Sequence, residues 1–307
     1  MNPINRVIVL LSSFNGEKYI KEQIESILDQ NTENILIDLI IRDDGSSDDT
    51  KKIIGSFNRN NLKLVSSENV GVISSFFRLI KLADENADYY AFSDQDDVWK
   101  KNKIQKAVSL LTAYEKPCLW CSRLDVVDSN LNHLFFSAIP KRKISLNNAL
   151  VENIATGCTI ILNKAAFLLL KNSLPDPKKI VMHDWWFYLV ISAFGEIIYE
   201  KEPSIHYRQH AANVEGMKFG LKKIFKKIHT ISKPSKYISV YNQLSEFSRI
   251  HKKNLTKEQN ELLHNFLISI NGKNILKAVH MVISGKVYRQ TNIENLSLIF
   301  SIFMKRI

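Results

Sequence analysis

Short apolar runs and amphipathic stretches take turns along the first 130 residues. Runs at 6–12, 36–42, 62–66, 88–93 and 117–127 have the length and the β-branched and aromatic content of buried strands. Between them, residues 17–30, 48–57, 71–86 and 100–115 repeat apolar positions every three or four residues, as a helix with one buried face does. This order predicts an α/β body, a mostly parallel sheet flanked by helices on both faces. Ligands of such sheets sit beyond the carboxyl ends of the strands. Three polar clusters fall at those ends: Ser12-Ser13-Phe14-Asn15, Asp43-Asp44-Gly45-Ser46 and Ser93-Asp94-Gln95-Asp96.

From 130 to 215 the pattern loosens. Asn153 to Ile161 reads as a loop entering a strand, and Pro175-Asp176-Pro177 breaks the chain. A helix is expected to start near His183-Asp184-Trp185-Trp186, with strands at 196–200 and 204–208 around Pro203. Beyond Gly216 the chain turns helical and basic, with Lys222-Lys223 and Lys226-Lys227 beside Ile224, Phe225 and Ile228. The expected division is a body over 1–216 and a basic helical appendage over 217–307.

Charge sharpens that division. Of a net +11, residues 218–307 carry fourteen Lys and three Arg against four Glu, a balance of +13, which leaves −2 for residues 1–217. A nucleic-acid-binding body would be basic with exposed aromatics, so that class is set aside. A basic amphipathic appendage fits an anionic membrane surface, or a helical subdomain with a solvated lysine face. The segment Val7 to Leu11 is too short to span a bilayer and has no small-residue cleavage site, so the cytoplasm is the expected compartment. Cys118, Cys121 and Cys158 make no disulfide framework. Cys118-Leu-Trp-Cys121 lies in a strand-like run, where the two thiols point to opposite faces as core residues rather than a redox or zinc pair.

Candidate chemistry concentrates in acids. Asp94, Asp96 and Asp97 stand within four positions at a strand end, and like charges so close repel unless a cation neutralises them. Hard Mg²⁺ or Mn²⁺ prefers such oxygen ligands and bridges them to phosphates, whereas an acidic turn capping the next helix is the plainer alternative. Asp48 or Ser47 can cap a helix, but capping does not explain Asp43-Asp44, which could accept from a base imide or a ribose hydroxyl. Phe14 either stacks on a base or belongs to the core. Arg208 suits phosphate. His206 and His210 could complete a metal shell or reach a diphosphate, or be structural. Gly157 either lets the backbone approach an acceptor or makes a turn.

Ser12-Ser13-Phe14-Asn15, Asp43-Asp44-Gly45-Ser46-Ser47-Asp48-Asp49-Thr50 and Asp94-Gln95-Asp96-Asp97, in that order, resemble the family 2 glycosyltransferases of GT-A (Rossmann-like) fold. Ser93 to Trp99, together with Tyr207-Arg208-Gln209-His210-Ala-Ala-Asn213-Val214-Glu215-Gly216, resembles the bacterial rhamnosyltransferase branch more narrowly. The resemblance implies a nucleotide-diphosphate sugar across the strand ends, with Ser12, Phe14, Asp43 and Asp44 on the donor side. Phe14 would stack on the base and Asp44 hold the pyrimidine. Asp94 would meet ribose or sugar, and Asp96 the metal. Asp184 would be the catalytic base of an inverting transfer, with Trp185 and Trp186 as acceptor platforms and His183 in place of a commoner acid. It further implies a donor such as dTDP-L-rhamnose, a lipid-linked or surface-glycan acceptor, and work at the inner face of the plasma membrane. A UDP-hexose donor and a non-catalytic sugar-nucleotide or glycan-binding protein are the competing readings. A processive synthase would carry Gln-x-x-Arg-Trp, and the chain has no Arg-Trp dipeptide.

Overall fold

A computed structural model describes residues 4–209 and 239–307. The first part alternates as the pattern requires: β1 (Asn5–Ser13), α1 (Ile20–Leu28), β2 (Ile35–Asp43), α2 (Thr50–Gly55), β3 (Leu62–Ser66), α3 (Val72–Leu82) and β4 (Tyr89–Ser93). There follow β5 (Val98–Trp99), α4 (Lys103–Leu111), β6 (Cys118–Ser122), β7 (Asp125–Val127), β8 (His133–Phe136) and α5 (Leu146–Ala149). A 3₁₀ turn at Gly157–Thr159 precedes β9 (Ile161–Asn163), α6 (Lys164–Lys171), α7 (His183–Phe194), β10 (Glu196–Glu200) and β11 (Ile205–Arg208). The described C-terminal part is α8 (Val240–His251), α9 (Lys257–Ile268), α10 (Ile275–Ile283) and α11 (Asn292–Phe303).

The main sheet has the order β10-β6-β9-β4-β1-β2-β3. It is parallel except at β9, which runs against both β4 and β6. β9 is entered from a loop and not from a crossover helix, so nothing forces it parallel. A second sheet, β5-β11-β7-β8, lies beside it. The apolar run over 117–127, expected as one strand, is therefore two. Arg123 N–H pairs with the Glu200 carbonyl and Leu124 N–H with the Ser137 hydroxyl, so the chain leaves one sheet for the other at that point.

Strand alternation sorts the core into two layers. Val7, Val9 and Leu11 of β1 pack with α1, α2 and α4, while Ile8 and Leu10 pack with α3 and α7. Cys118 falls in the first layer and Cys121 in the second, both buried and free, as core residues on opposite faces. α8 to α11 close over the second layer: Leu244, Phe247, Leu263, Phe266, Met281, Leu298 and Ile302 share one apolar cluster with α7. Gln243 accepts from Val181 N–H at 2.9 Å and Glu246 from Asp176 N–H at 3.2 Å, which ties α8 to the turn before α7. No helix among the described residues is long and apolar enough to cross a membrane. His210 and the lysine pairs at 222–223 and 226–227 lie outside the described residues.

Candidate active site

The parallel order β4-β1-β2 brings the three polar clusters to one edge of the sheet. Ser13 pairs with Asp43 and Leu11 with Ser93 in register. The Asp43-Asp44 loop is built from within. Asp43 accepts the Ser46 N–H at 3.0 Å and the Ser46 hydroxyl. Asp44 is salt-bridged to buried Arg42 and accepts the N–H groups of Val70 and Gly71, each at 2.9 Å. Arg42 also donates to Ser75 Oγ, which is 2.6 Å from Ser12 Oγ. Gly45 has φ +83°, and a Cβ there would stand 2.9 Å from the Asn69 nitrogen, so this turn needs glycine. Phe14 is not core: it is 45% exposed. Its backbone is clamped by Gln95, which accepts the Phe14 N–H at 2.8 Å and donates to its carbonyl at 3.0 Å. Gln95 thus locks the ends of β1 and β4 together, a role that nothing in its local sequence announces.

The acids after β4 are less well answered. Oxygens of Asp94 and Asp97 and the sulfur of Cys158 all lie within 4.8 Å of one another. Asp97 Oδ1 accepts the Arg208 N–H at 3.1 Å, but its buried Oδ2 has no hydrogen-bond partner. Burial first, then the charge of Asp96, pushes Asp97 well above the usual carboxylate range. Asp94 is pushed up to about 7 by burial, then by Asp96 and by Asp184. Asp96, expected as the ligand, stands outside the trio but acts electrostatically on both of its acids.

The cluster tests well against a hard divalent cation: its available donors are carboxylate oxygens, and one of them is an orphan. Cys158, whose thiol burial pushes up, stays protonated and is a poor ligand for such an ion. Two neighbours escaped the sequence reading. Lys103 is fully buried, donates to the Cys158 carbonyl at 2.6 Å and sits 3.4 Å over the Trp99 ring. Burial draws its ammonium down to about 7. Its place at a buried phase of α4, one residue before Ile104, was the available signal. Tyr207, part of the rhamnosyltransferase-like motif but given no role there, is the other: burial first, then Cys158, Asp97, Asp94 and Asp96, raise its phenol.

Asp184 opens α7. Gly157 N–H donates to its Oδ2 at 3.0 Å and Trp185 N–H to its Oδ1 at 2.6 Å, which fixes the carboxylate at the cluster's edge. A Cβ on Gly157 would meet His183 Nε2 at 3.0 Å, so the glycine lets this turn seat the acid. Its N–H serves Asp184. His183 lies buried and stacked on Phe76 at 4.1 Å, and burial draws it down to about 3, so it stays neutral.

Several expected contacts are corrected. Trp186 is fully buried against Phe247 and His251, so it cannot form a sugar platform. The Trp185 indole N–H is committed to the Ala149 carbonyl at 2.7 Å, leaving only its partly exposed ring for an acceptor. Arg208, expected on phosphate, is buried: it donates to the carbonyls of Asp96 and Ser129 and to Glu22, and stacks over Tyr19. It holds the acidic loop from behind. His206 projects from the opposite side of β11 to Tyr207, with Nδ1 3.2 Å from Asp125, which also pairs with Lys100 and His133. It does not join the acid cluster.

Residues 8–168 match the family described as Glycosyl transferase family 2. The chain is 30% identical to dTDP-rhamnosyl transferase RfbG of Shigella flexneri over 71% of its own length and 78% of that protein's. It is 28% identical to the UDP-Glc:alpha-D-GlcNAc-diphosphoundecaprenol beta-1,3-glucosyltransferase WfgD of Escherichia coli, over 52% of this chain and 60% of that one. Residues 1–349 of S. aureus TarS in complex with UDP share the fold, with TM-score 0.63 and 16% identity, over 98% of this chain and 88% of that one. The architecture is the GT-A fold. The chain belongs to glycosyl transferase family 2, in its rhamnosyltransferase-like branch.

Proposed function

We propose that the protein transfers L-rhamnose from dTDP-L-rhamnose, with inversion, to a hydroxyl of a lipid-linked or growing surface polysaccharide, at the inner face of the plasma membrane. The observation that carries this reading is the meeting of two kinds of acid: a cluster short of positive charge at the end of β4, and Asp184 near enough to raise Asp94 yet held by two backbone N–H groups. The name of the Shigella relative supports the donor.

The exposed Phe14 ring takes the base, over a floor shaped by Ser12, Asp43 and Asp44. Asp94 meets the ribose or sugar. Asp96 and Asp97 would hold Mg²⁺ or Mn²⁺, which would supply positive charge against the negative charge gathering on the leaving diphosphate. Asp184 takes the proton of the acceptor hydroxyl. The acceptor oxygen then bonds to the anomeric carbon from the face opposite the departing dTDP, whose bond to that carbon breaks. Asp184→Asn should lower transfer by about 10²–10⁴-fold with donor affinity unchanged. Wild-type turnover in that variant would remove the base.

A second reading keeps the fold and site but takes a UDP-hexose, as the name of the E. coli relative suggests. A panel of nucleotide sugars scored by thermal shift with and without Mn²⁺ separates the two. Stabilisation without any product from a panel of acceptors would instead point to a sugar-nucleotide-binding protein.

A further inference from the structure

The last two helices are apolar on both sides. On α11, Leu298 and Ile302 face the core, while Ile293, Leu296, Phe300 and Phe303, at helical spacing, face solvent. On α10, Ala278, Met281 and Val282 are buried, whereas Leu276 and Ile283 point outward. These six outward residues are between 50% and 75% exposed. The helices pack together and run antiparallel. A Cβ on Gly272, just before α10, would lie 3.8 Å from the Lys305 ammonium, just after α11. Both helices bury their inward sides in the same cluster, so these outward residues lie on the solvent side of both. A helix that is apolar all round needs a cover on each side, and among the described residues only one side is covered.

We propose that the outer face of α10 and α11 is the surface by which the protein lies on an anionic lipid bilayer. It rests on the reading above only for its purpose, a lipid-linked acceptor. Charge selects the occupant. From 275 to 307 the chain carries Lys277, Lys286, Arg289, Lys305 and Arg306 against Glu294 alone. Lys277, Lys286, Lys305 and Arg306 are exposed. Exposed apolar side chains with exposed basic residues on the same helices and at their ends match the acyl boundary and the phosphates of a bilayer interface. Two copies of the chain meeting through this face would bring like charges together, which disfavours self-association as the cover.

The test uses the full chain and flotation with vesicles of phosphatidylglycerol and phosphatidylcholine, against phosphatidylcholine alone. Wild type should float with the anionic vesicles. Ile293→Ser with Phe300→Ser should weaken this about 100-fold without moving the melting temperature, since two buried side chains each carry about tenfold. Lys277→Glu with Lys286→Glu should weaken it at low salt and leave little salt dependence. Unchanged flotation of the serine variant overturns the proposal. So does a concentration-dependent dimer, seen by light scattering, that the serine variant abolishes while vesicles bind neither protein. Stabilisation by dTDP-L-rhamnose with Mn²⁺ is read on the same proteins. If it persists while flotation fails, this inference falls alone. If it is absent from a wild type that floats, the donor assignment falls instead.

Discussion

The loops after β2 and β4 carry the same signal, adjacent aspartates at the carboxyl end of a parallel strand, and end in opposite electrostatic states. After β2, Arg42, Ser46 and the backbone of Val70 and Gly71 answer both acids. After β4, Asp97 keeps an oxygen with no hydrogen-bond partner, and Asp94 and Asp97 share one buried ammonium, Lys103, which burial draws down and which donates to the Cys158 carbonyl. One loop is scaffold, complete in itself. The other is held together by Arg208 and Gln95 while its acids remain crowded. An acid-rich motif alone therefore does not mark a cation site; acids in excess of their counter-charge do.

Breaking the satisfied side should have the largest effect on stability. Arg42→Met leaves buried Asp44 without its cation, held only by the N–H groups of Val70 and Gly71, and should lower the unfolding free energy by about 3–5 kcal/mol, measured by urea titration. Adding Asp44→Asn should recover much of that loss. Glu246 offers a second satisfied acid for comparison. Arg249, with Asp176 N–H and Lys179, holds it down to about 2. Its contribution is present above about 4.5 and lost as pH falls towards 2, so Glu246→Gln should cost about 1–3 kcal/mol at pH 7 and little at pH 2.5.

Asp94 runs the other way. Raised to about 7, it favours the folded state at low pH, and that stability is lost as pH climbs from about 4 through 7. Relative to Asp94→Asn, the metal-free wild type should therefore lose melting temperature as pH climbs from about 4 to 7. The smallest effect on stability belongs to Asp97→Asn. It removes a buried, under-satisfied carboxylate, so the metal-free melting temperature should hold or rise slightly, while stabilisation by donor with Mn²⁺ disappears. A large loss of metal-free stability would show that Asp97 is as structural as Asp44.

How much of this was legible follows from where the information is local. Periodicity located β1 to β4 and the helices between them, and strand alternation foretold that Cys118 and Cys121 would part. The break inside 117–127 was not legible, because apolar residues line both sheets that this run enters. Trp185 and Trp186 look alike beside Asp184; only the packing of Phe247 and His251, over 60 residues away, puts one indole wholly inside. Arg208 and Gln95 act through partners remote in sequence, Glu22 and Phe14. Lys103 was hidden by its residue type, since a lysine in an amphipathic stretch is ordinarily solvated. The basic balance of the C-terminal part was plain, but its apolar outer face emerged only once the other face was seen to be filled.

The central claim is that the acids after β4 take a divalent cation against a nucleoside diphosphate while those after β2 do not. Electron paramagnetic resonance of free Mn²⁺ titrated with protein and dTDP tests it directly. The account predicts uptake of one Mn²⁺ per chain, lost in Asp96→Asn and Asp97→Asn and kept in Ser46→Ala. Equal uptake by wild type and both asparagine variants, or none by wild type, would contradict it.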